Sequence, residues 1–186
     1  MVKMRKLKTS IAVLALLAAG NAAAVDNGYV EFNGKVTDNT CSIVSGDEAL
    51  QVTLPTVNRS ALAKAGDQTG STAFNIRVEK CPVSGTADRP TQVAVHFEAN
   101  GSSGANPETQ NLTNASPDAN KAQNVEVRLY DYGVSTGFLP VGSTGKYFNI
   151  SDDGKATTTY AGGYYATGAS TVGPVYAKVL YTLAYK

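Results

Sequence analysis

The spacing at the end of the chain predicts a strand with one apolar face and nothing after it. From Gly173 the residues run Gly-Pro-Val-Tyr-Ala-Lys-Val-Leu-Tyr-Thr-Leu-Ala-Tyr-Lys186, with Val175, Ala177, Val179, Tyr181, Leu183 and Tyr185 at alternate positions. Successive side chains of a strand point to opposite faces, so this apolar set shares one face. The same period near the start sets Gly28, Val30, Phe32, Gly34 and Val36 against Tyr29, Glu31, Asn33 and Lys35, all ahead of Cys41. Two amphipathic strands at opposite ends of a chain can pair within one molecule or between molecules.

The first residues are expected to be removed. Lys3, Arg5, Lys6 and Lys8 precede an apolar run from Ile11 to Ala19, and Ala22-Ala23-Ala24 follows. That is the layout of a secretory signal peptide, with cleavage expected after Ala24. The run is nine residues long, well short of the roughly 20 a membrane-spanning helix needs. Cleavage leaves 162 of the 186 residues, with 12 Lys and Arg against 15 Asp and Glu, a net charge of −3. A mildly acidic domain with scattered bases carries no stripe for nucleic acid. Its size fits one domain with one core.

Seven strand-like runs are separated by turn residues: 29–36, 51–57, 73–80, 91–97, 124–131, 156–165 and 175–185. The triads Phe74/Ile76/Val78, Val93/Val95/Phe97 and Val125/Val127/Leu129 alternate cleanly, which predicts antiparallel sheets with one wet face and a sandwich fold. One short helical turn is expected at 60–65, before Gly66. The stretch 100–121 is crowded with Asn, Gly, Ser and Pro. A loop of this length is functional or mobile, and it reads as a mobile surface loop before a functional one, with a short strand at Leu112 at most. Cys41 and Cys81, the two cysteines of an exported chain, are expected to form a disulfide closing a loop of 40 residues.

A search for chemistry returns turns and surface. Serine nucleophiles need a histidine, and His96 is the single one; its neighbours Val95 and Phe97 put it on a sheet face. The glycines at 101/104 and 142/145 lack the P-loop pairing of a lysine with a following Ser or Thr, no dinucleotide glycine fingerprint opens a helix, and they read as turns. Asp152-Asp153-Gly154 lacks the later ligands of a calcium loop and reads as a hairpin turn. No enzyme activity, metal or cofactor is expected.

The residues Gly28-Tyr-Val-Glu-Phe-Asn-Gly-Lys-Val36 before Cys41, Phe74-Asn-Ile-Arg-Val78 before Cys81, Tyr164-Tyr-Ala-Thr-Gly168, Gly173 and the penultimate Tyr185 resemble the structural pilins of the chaperone-usher family, of the type 1 fimbrial major-subunit kind. The resemblance covers the mature chain, and the spacing of Gly173 and Tyr185 is its most specific part. It implies an all-β, incomplete immunoglobulin-like sandwich, whose groove is completed by a strand donated from a neighbouring subunit. On that implication residues 1–24 are the signal peptide, 25–37 the N-terminal extension and 38–186 the pilin domain. Gly28, Val30, Phe32, Gly34 and Val36 are the donor strand. Gly173, Val179, Tyr181, Leu183 and Tyr185 belong to the strand lining the groove and meeting the chaperone. The implied partners are identical or related subunits, a periplasmic chaperone and an outer-membrane usher, and the implied destination is the fimbria at the cell surface. Two other readings share the sequence: a minor tip or adaptor pilin, and a secreted carbohydrate-binding module or hydrolase, for which Tyr130/Tyr132 and Tyr164/Tyr165 are the support.

Overall fold

The structure, a computed structural model, describes residues 29–34, 36, 40–84, 89–132 and 137–186. The expected signal peptide and Gly28 lie outside the described residues. The chain divides into two units, Met1–Val36 and Thr37–Lys186. In the first, the described residues adopt no regular secondary structure.

Among the described residues, the second unit has nine strands: β1 Ser42–Ile43, β2 Gln68–Glu79, β3 Gln92–Glu98, β4 Leu112–Thr113, β5 Val125–Asp131, β6 Phe138–Leu139, β7 Phe148–Asn149, β8 Ala156–Ala166 and β9 Leu180–Tyr185. One sheet has the order β1-β2-β8-β5-β4, with β6 also on β5, and the other the order β7-β3-β9. All pairings are antiparallel. The predicted alternation explains the layers. Ile76 of β2, Leu129 of β5 and Tyr160 of β8 meet Val95 and Phe97 of β3 in one buried cluster. The two sheets therefore close on each other as a sandwich.

Tyr160 is the centre of that core and has no exposed surface. Its ring stands edge-on to Phe97 at 5.2 Å and to Phe148 at 6.1 Å. A buried phenol needs partners for its hydroxyl. Here the oxygen accepts from Val95 N–H at 3.0 Å and donates to the Lys146 carbonyl at 3.1 Å. Burial pushes its pKa up to about 12.

Cys41 and Cys81 are joined by a disulfide. The bond staples the end of the β1–β2 ladder, where Ser42 pairs with Glu79, and its sulfurs sit beside Val78, Val93 and Ala156. The expected helical turn is a 3-10 turn at Arg59–Leu62. Asn58 caps it by accepting from Ser60 N–H at 2.9 Å.

Three expectations are corrected. Residues 51–57 form no strand, because among the described residues none lies beside them to complete a ladder. The final strand pairs only from Leu180, since β3 ends at Glu98 opposite it. The stretch 100–121 is tied down by hydrogen bonds. The Glu126 carboxylate, buried beneath it, accepts from Asn106 Nδ2 at 2.5 Å, Thr109 Oγ1 at 2.6 Å and Asn111 Nδ2 at 2.9 Å. A buried carboxylate is stable only when so supplied, so the polar composition that suggested mobility is what anchors the segment.

Candidate assembly groove

A trough of about 640 Å³ opens between the sheets along one side of the sandwich. One wall is 50–54, the other Val175–Tyr181, and the floor is Phe74, Ile76, Phe97, Leu112, Val127 and Leu129. The floor is the core of the domain, reached from outside.

Both walls carry unpaired backbone. Among the described residues, no partner reaches the N–H or C=O groups of 50–57. Residues 50–53 are exposed along that wall, Leu50 and Val52 among them. On the facing wall, Lys186 and Gln92 exchange both of their hydrogen bonds at 3.1 Å. Antiparallel ladders alternate. The even-numbered groups of β9 therefore face β3, and those of Tyr181, Leu183 and Tyr185 face away. The odd-numbered groups at Val175, Ala177 and Val179 likewise have no partner among the described residues. Two parallel rows of free donors and acceptors over an apolar floor are what a missing strand leaves behind.

The walls meet near Asp47. The Tyr181 hydroxyl donates to the Asp47 carbonyl at 2.7 Å. Burial, with the charges of Asp47 and Glu48, raises the Tyr181 pKa. The Asp47 carboxylate, itself buried, accepts from Arg77 N–H, Nε and Nη2 at 2.8, 2.9 and 2.7 Å. Hydrogen bonding to Arg77 holds its pKa below the ordinary aspartate value against the opposing effect of burial. This latch fixes the start of the 50–54 wall to β2.

The residues expected to line the groove are divided. Val179 and Tyr181 line the trough, joined by Val175 and Ala177. Leu183 and Tyr185 do not. Both pack on the cluster around the disulfide and Val93, Leu183 touching the main core cluster as well, and the Tyr185 hydroxyl accepts from Cys41 N–H at 3.0 Å. Burial raises the Tyr185 pKa. Gly173 sits at the other end, where any Cβ would collide with the Asn120 carbonyl and Ala122 nitrogen. Its glycine is required by that close approach.

Of the expected donor residues, Val30, Phe32 and Val36 are exposed, at 76, 90 and 99 %, and among the described residues nothing beyond its chain neighbours lies within 4 Å of a Cβ placed on Gly34. Four large apolar side chains, counting Tyr29, thus lie uncovered within eight residues, an exposure that marks an interaction segment.

The remaining candidates have local explanations. His96 Nδ1 lies 2.9 Å from Thr144 Oγ1 on the outer face of β3. Asp153 pairs with Lys155 at 2.9 Å in the turn before β8. Tyr164 lines the trough, whereas the Tyr165 ring lies 3.8 Å from the Arg128 guanidinium. The two tyrosines therefore serve opposite faces of β8 and form no joint platform. Among the described residues, no group of three or more His, Cys, Asp or Glu could hold a metal ion, and no helix is long and apolar enough to cross a membrane.

Sequence reasoning gave no special role to the 50–54 wall, the Asp47 latch or the polar side chains of 100–121. The wall was visible as a strand-like run; the latch and the loop's partners depend on contacts far apart in sequence.

Comparison with known proteins places this geometry. A family model described as "Fimbrial protein" matches residues 30–186. The chain is 37 % identical over 179 residues to the major fimbrial subunit SMF-1 of Stenotrophomonas maltophilia (strain K279a), covering 91 % of this chain and 99 % of that protein. It is 34 % identical over 188 residues to the F17 fimbrial protein of Escherichia coli, covering 98 % and 100 %. Its fold is similar to the crystal structure of the P pilus rod subunit PapA, with a TM-score of 0.59 at 17 % identity over 78 % of this chain and 99 % of that one. A structure of a chaperone-usher pilus gives 0.60 at 21 % identity over 86 % and 96 %.

Proposed function

Because this chain belongs to the fimbrial protein family and is a structural fimbrial subunit, we propose that it polymerises by donor-strand exchange into the rod of a surface fimbria that supports adhesion. The mature chain starts at Val25, residues 25–37 act as the donor arm, and 38–186 form the accepting domain. The observation that carries this reading is the trough with two unpaired edges, in a molecule that also exposes the apolar side chains of Tyr29, Val30, Phe32 and Val36.

The arm of one subunit enters the trough of the next by β-strand addition. Its backbone satisfies both walls, and Val30, Phe32 and Val36 replace water over the floor. At about 1.5 to 3 kcal/mol for each fully buried side chain, these three offer roughly 5 to 9 kcal/mol. Before assembly an open trough is an aggregation hazard. A periplasmic chaperone covers it, and the outer-membrane usher receives the complex. The role is assembly and not catalysis.

Gly34 tests this reading. Gly34 lies in the first unit, apart from the core and the disulfide of the second, so Gly34→Arg leaves the fold and the disulfide intact. In a neighbour's trough the same side chain overpacks the floor and buries a charge. Gly34→Arg subunits are expected to accumulate as chaperone complexes without surface fimbriae, whereas Asn33→Arg, on the opposite face of the arm, assembles. Equal fimbriation of the two variants by electron microscopy removes the donor register.

A further inference from the structure

The final strand changes hydrogen-bonding partner halfway. From Leu180 onward its even-numbered backbone groups pair with β3. β3 ends at Glu98, and a loop takes over. Lys178 N–H donates to Ser103 Oγ at 2.5 Å, and the Lys178 carbonyl accepts from Ser103 N–H at 2.7 Å. Tyr176 N–H donates to Asn114 Oδ1 at 3.0 Å, and the Tyr176 carbonyl accepts from Ala115 N–H at 2.8 Å. The Pro174 carbonyl accepts from Asn114 Nδ2 at 3.0 Å and Ala122 N–H at 3.1 Å. Proline has no N–H to place, so every even-numbered backbone donor and acceptor from Pro174 to Lys178 is engaged.

Asn114 is the centre of this arrangement. Its amide accepts from residue 176 and donates to residue 174, as a neighbouring strand would. The same amide is fixed from behind: Nδ2 also donates to the Ala122 carbonyl at 2.9 Å, and Oδ1 also accepts from Ser116 N–H at 3.1 Å. All the bonds open to a side-chain amide at this site are made. The loop that carries it is anchored independently by the buried Glu126 carboxylate.

We infer that Asn114, supported by Ser103, is a positioning residue for donor-strand capture, holding the wall from Val175 to Val179 extended and in register while its other edge is empty. The inference rests on the donor-strand reading above. A segment paired on neither side would have to be ordered at the moment of capture, and ordering it beforehand removes that cost from binding. The polar loop thus stands in for the strand that β3 does not supply.

The test measures capture of a fluorescent peptide with the sequence of residues 25–37 by the full mature chain. Wild type is compared with Asn114→Ala, with Asn114→Asp, which keeps the acceptor and loses the donor, and with Tyr160→Phe, which loses buried hydrogen bonds away from the wall. Two hydrogen bonds to the wall correspond to capture slower by about tenfold in Asn114→Ala, with a smaller effect in Asn114→Asp. Amide exchange at Lys178, whose N–H is bonded to Ser103 and not to Asn114, is expected to quicken as the wall loosens. Tyr160→Phe is expected to capture at the wild-type rate despite its lower melting temperature. Capture by Asn114→Ala at the wild-type rate overturns the inference, as does equal slowing in Tyr160→Phe. If Asn114→Ala does not fold, Asn114→Asp decides by the same comparison. Failure of the wild type to take up peptide is a different result: it removes the donor-strand reading itself, and this inference with it.

Discussion

Tyr160→Phe isolates one hydroxyl at the centre of the core. The phenyl ring keeps its edge-on contacts with Phe97 and Phe148, so the packing is retained and only the two hydrogen bonds disappear. Val95 is fully buried, and without the Tyr160 oxygen at 3.0 Å its N–H has no replacement partner. The Lys146 carbonyl belongs to an exposed residue and turns to water. The cost is therefore that of one orphaned buried donor plus a modest hydrogen bond, about 2 kcal/mol. For a domain of this size that is a fall of roughly 4 to 8 °C in Tm. A pH series adds a sign. The folded-state pKa of Tyr160 is raised from 10.0 to about 12, so the native state favours the neutral phenol. That contribution is fully present below pH 10 and is lost as pH rises from 10 towards 12. The stability gap between wild type and Tyr160→Phe should narrow across that window and stay constant from pH 6 to 9. Thermal or urea unfolding of the disulfide-bonded chain reads both. A gap under about 0.5 kcal/mol at pH 7, below the cost of any orphaned buried donor, or one that widens above pH 10, refutes the account.

Two further outcomes follow from the latch and the staple. Asp47→Ala should lower the unfolding midpoint at pH 7; because hydrogen bonding to Arg77 lowers the Asp47 pKa, its contribution is present above the ordinary aspartate range and is lost as pH falls through the lowered value, so the gap between variant and wild type in urea titrations should narrow in acid, and a gap that widens there counts against the latch. Cys41→Ser with Cys81→Ser should cost about 4 kcal/mol for a closed loop of 40 residues in the chain-entropy treatment; non-reduced mass spectrometry of the wild type showing two free thiols excludes the bond.

The sandwich was legible because Phe74/Ile76/Val78, Val93/Val95/Phe97 and Val125/Val127/Leu129 alternate with the period that a half-buried strand demands. Turns at Gly101, Gly142 and Gly154 were legible as well, and each adopts a positive φ. Residues 51–57 misled because their composition suits a strand, while ladder formation depends on a neighbour that this chain does not set beside them. The short strands β1, β6 and β7 have two residues each and carry no periodicity to detect. Leu183 and Tyr185 share the apolar face of Val179 and Tyr181, and period alone could not say which of the four would pack beside the disulfide. The stretch 100–121 hid its role for another reason. Asn and Ser are turn residues by propensity, and only the position of Pro174, Tyr176 and Lys178 beside them turns those same side chains into a surrogate strand.

The empty place between 50–54 and Val175–Tyr181 means that the stability of this domain is a two-body quantity. Whatever occupies the trough binds the folded chain and not the unfolded one, so it stabilises the fold by mass action. At a hundred times its dissociation constant an occupant adds about 2.7 kcal/mol, and each further tenfold adds about 1.4. A melting temperature measured on the isolated chain is then a lower bound set by the absence of company, and it rises with the concentration of any strand that fits. If the proposed donor arm is the occupant, its tether within a fibre means that its effective concentration is no longer set by dilution, and the last increment of folding free energy becomes a property of the polymer's length and continuity.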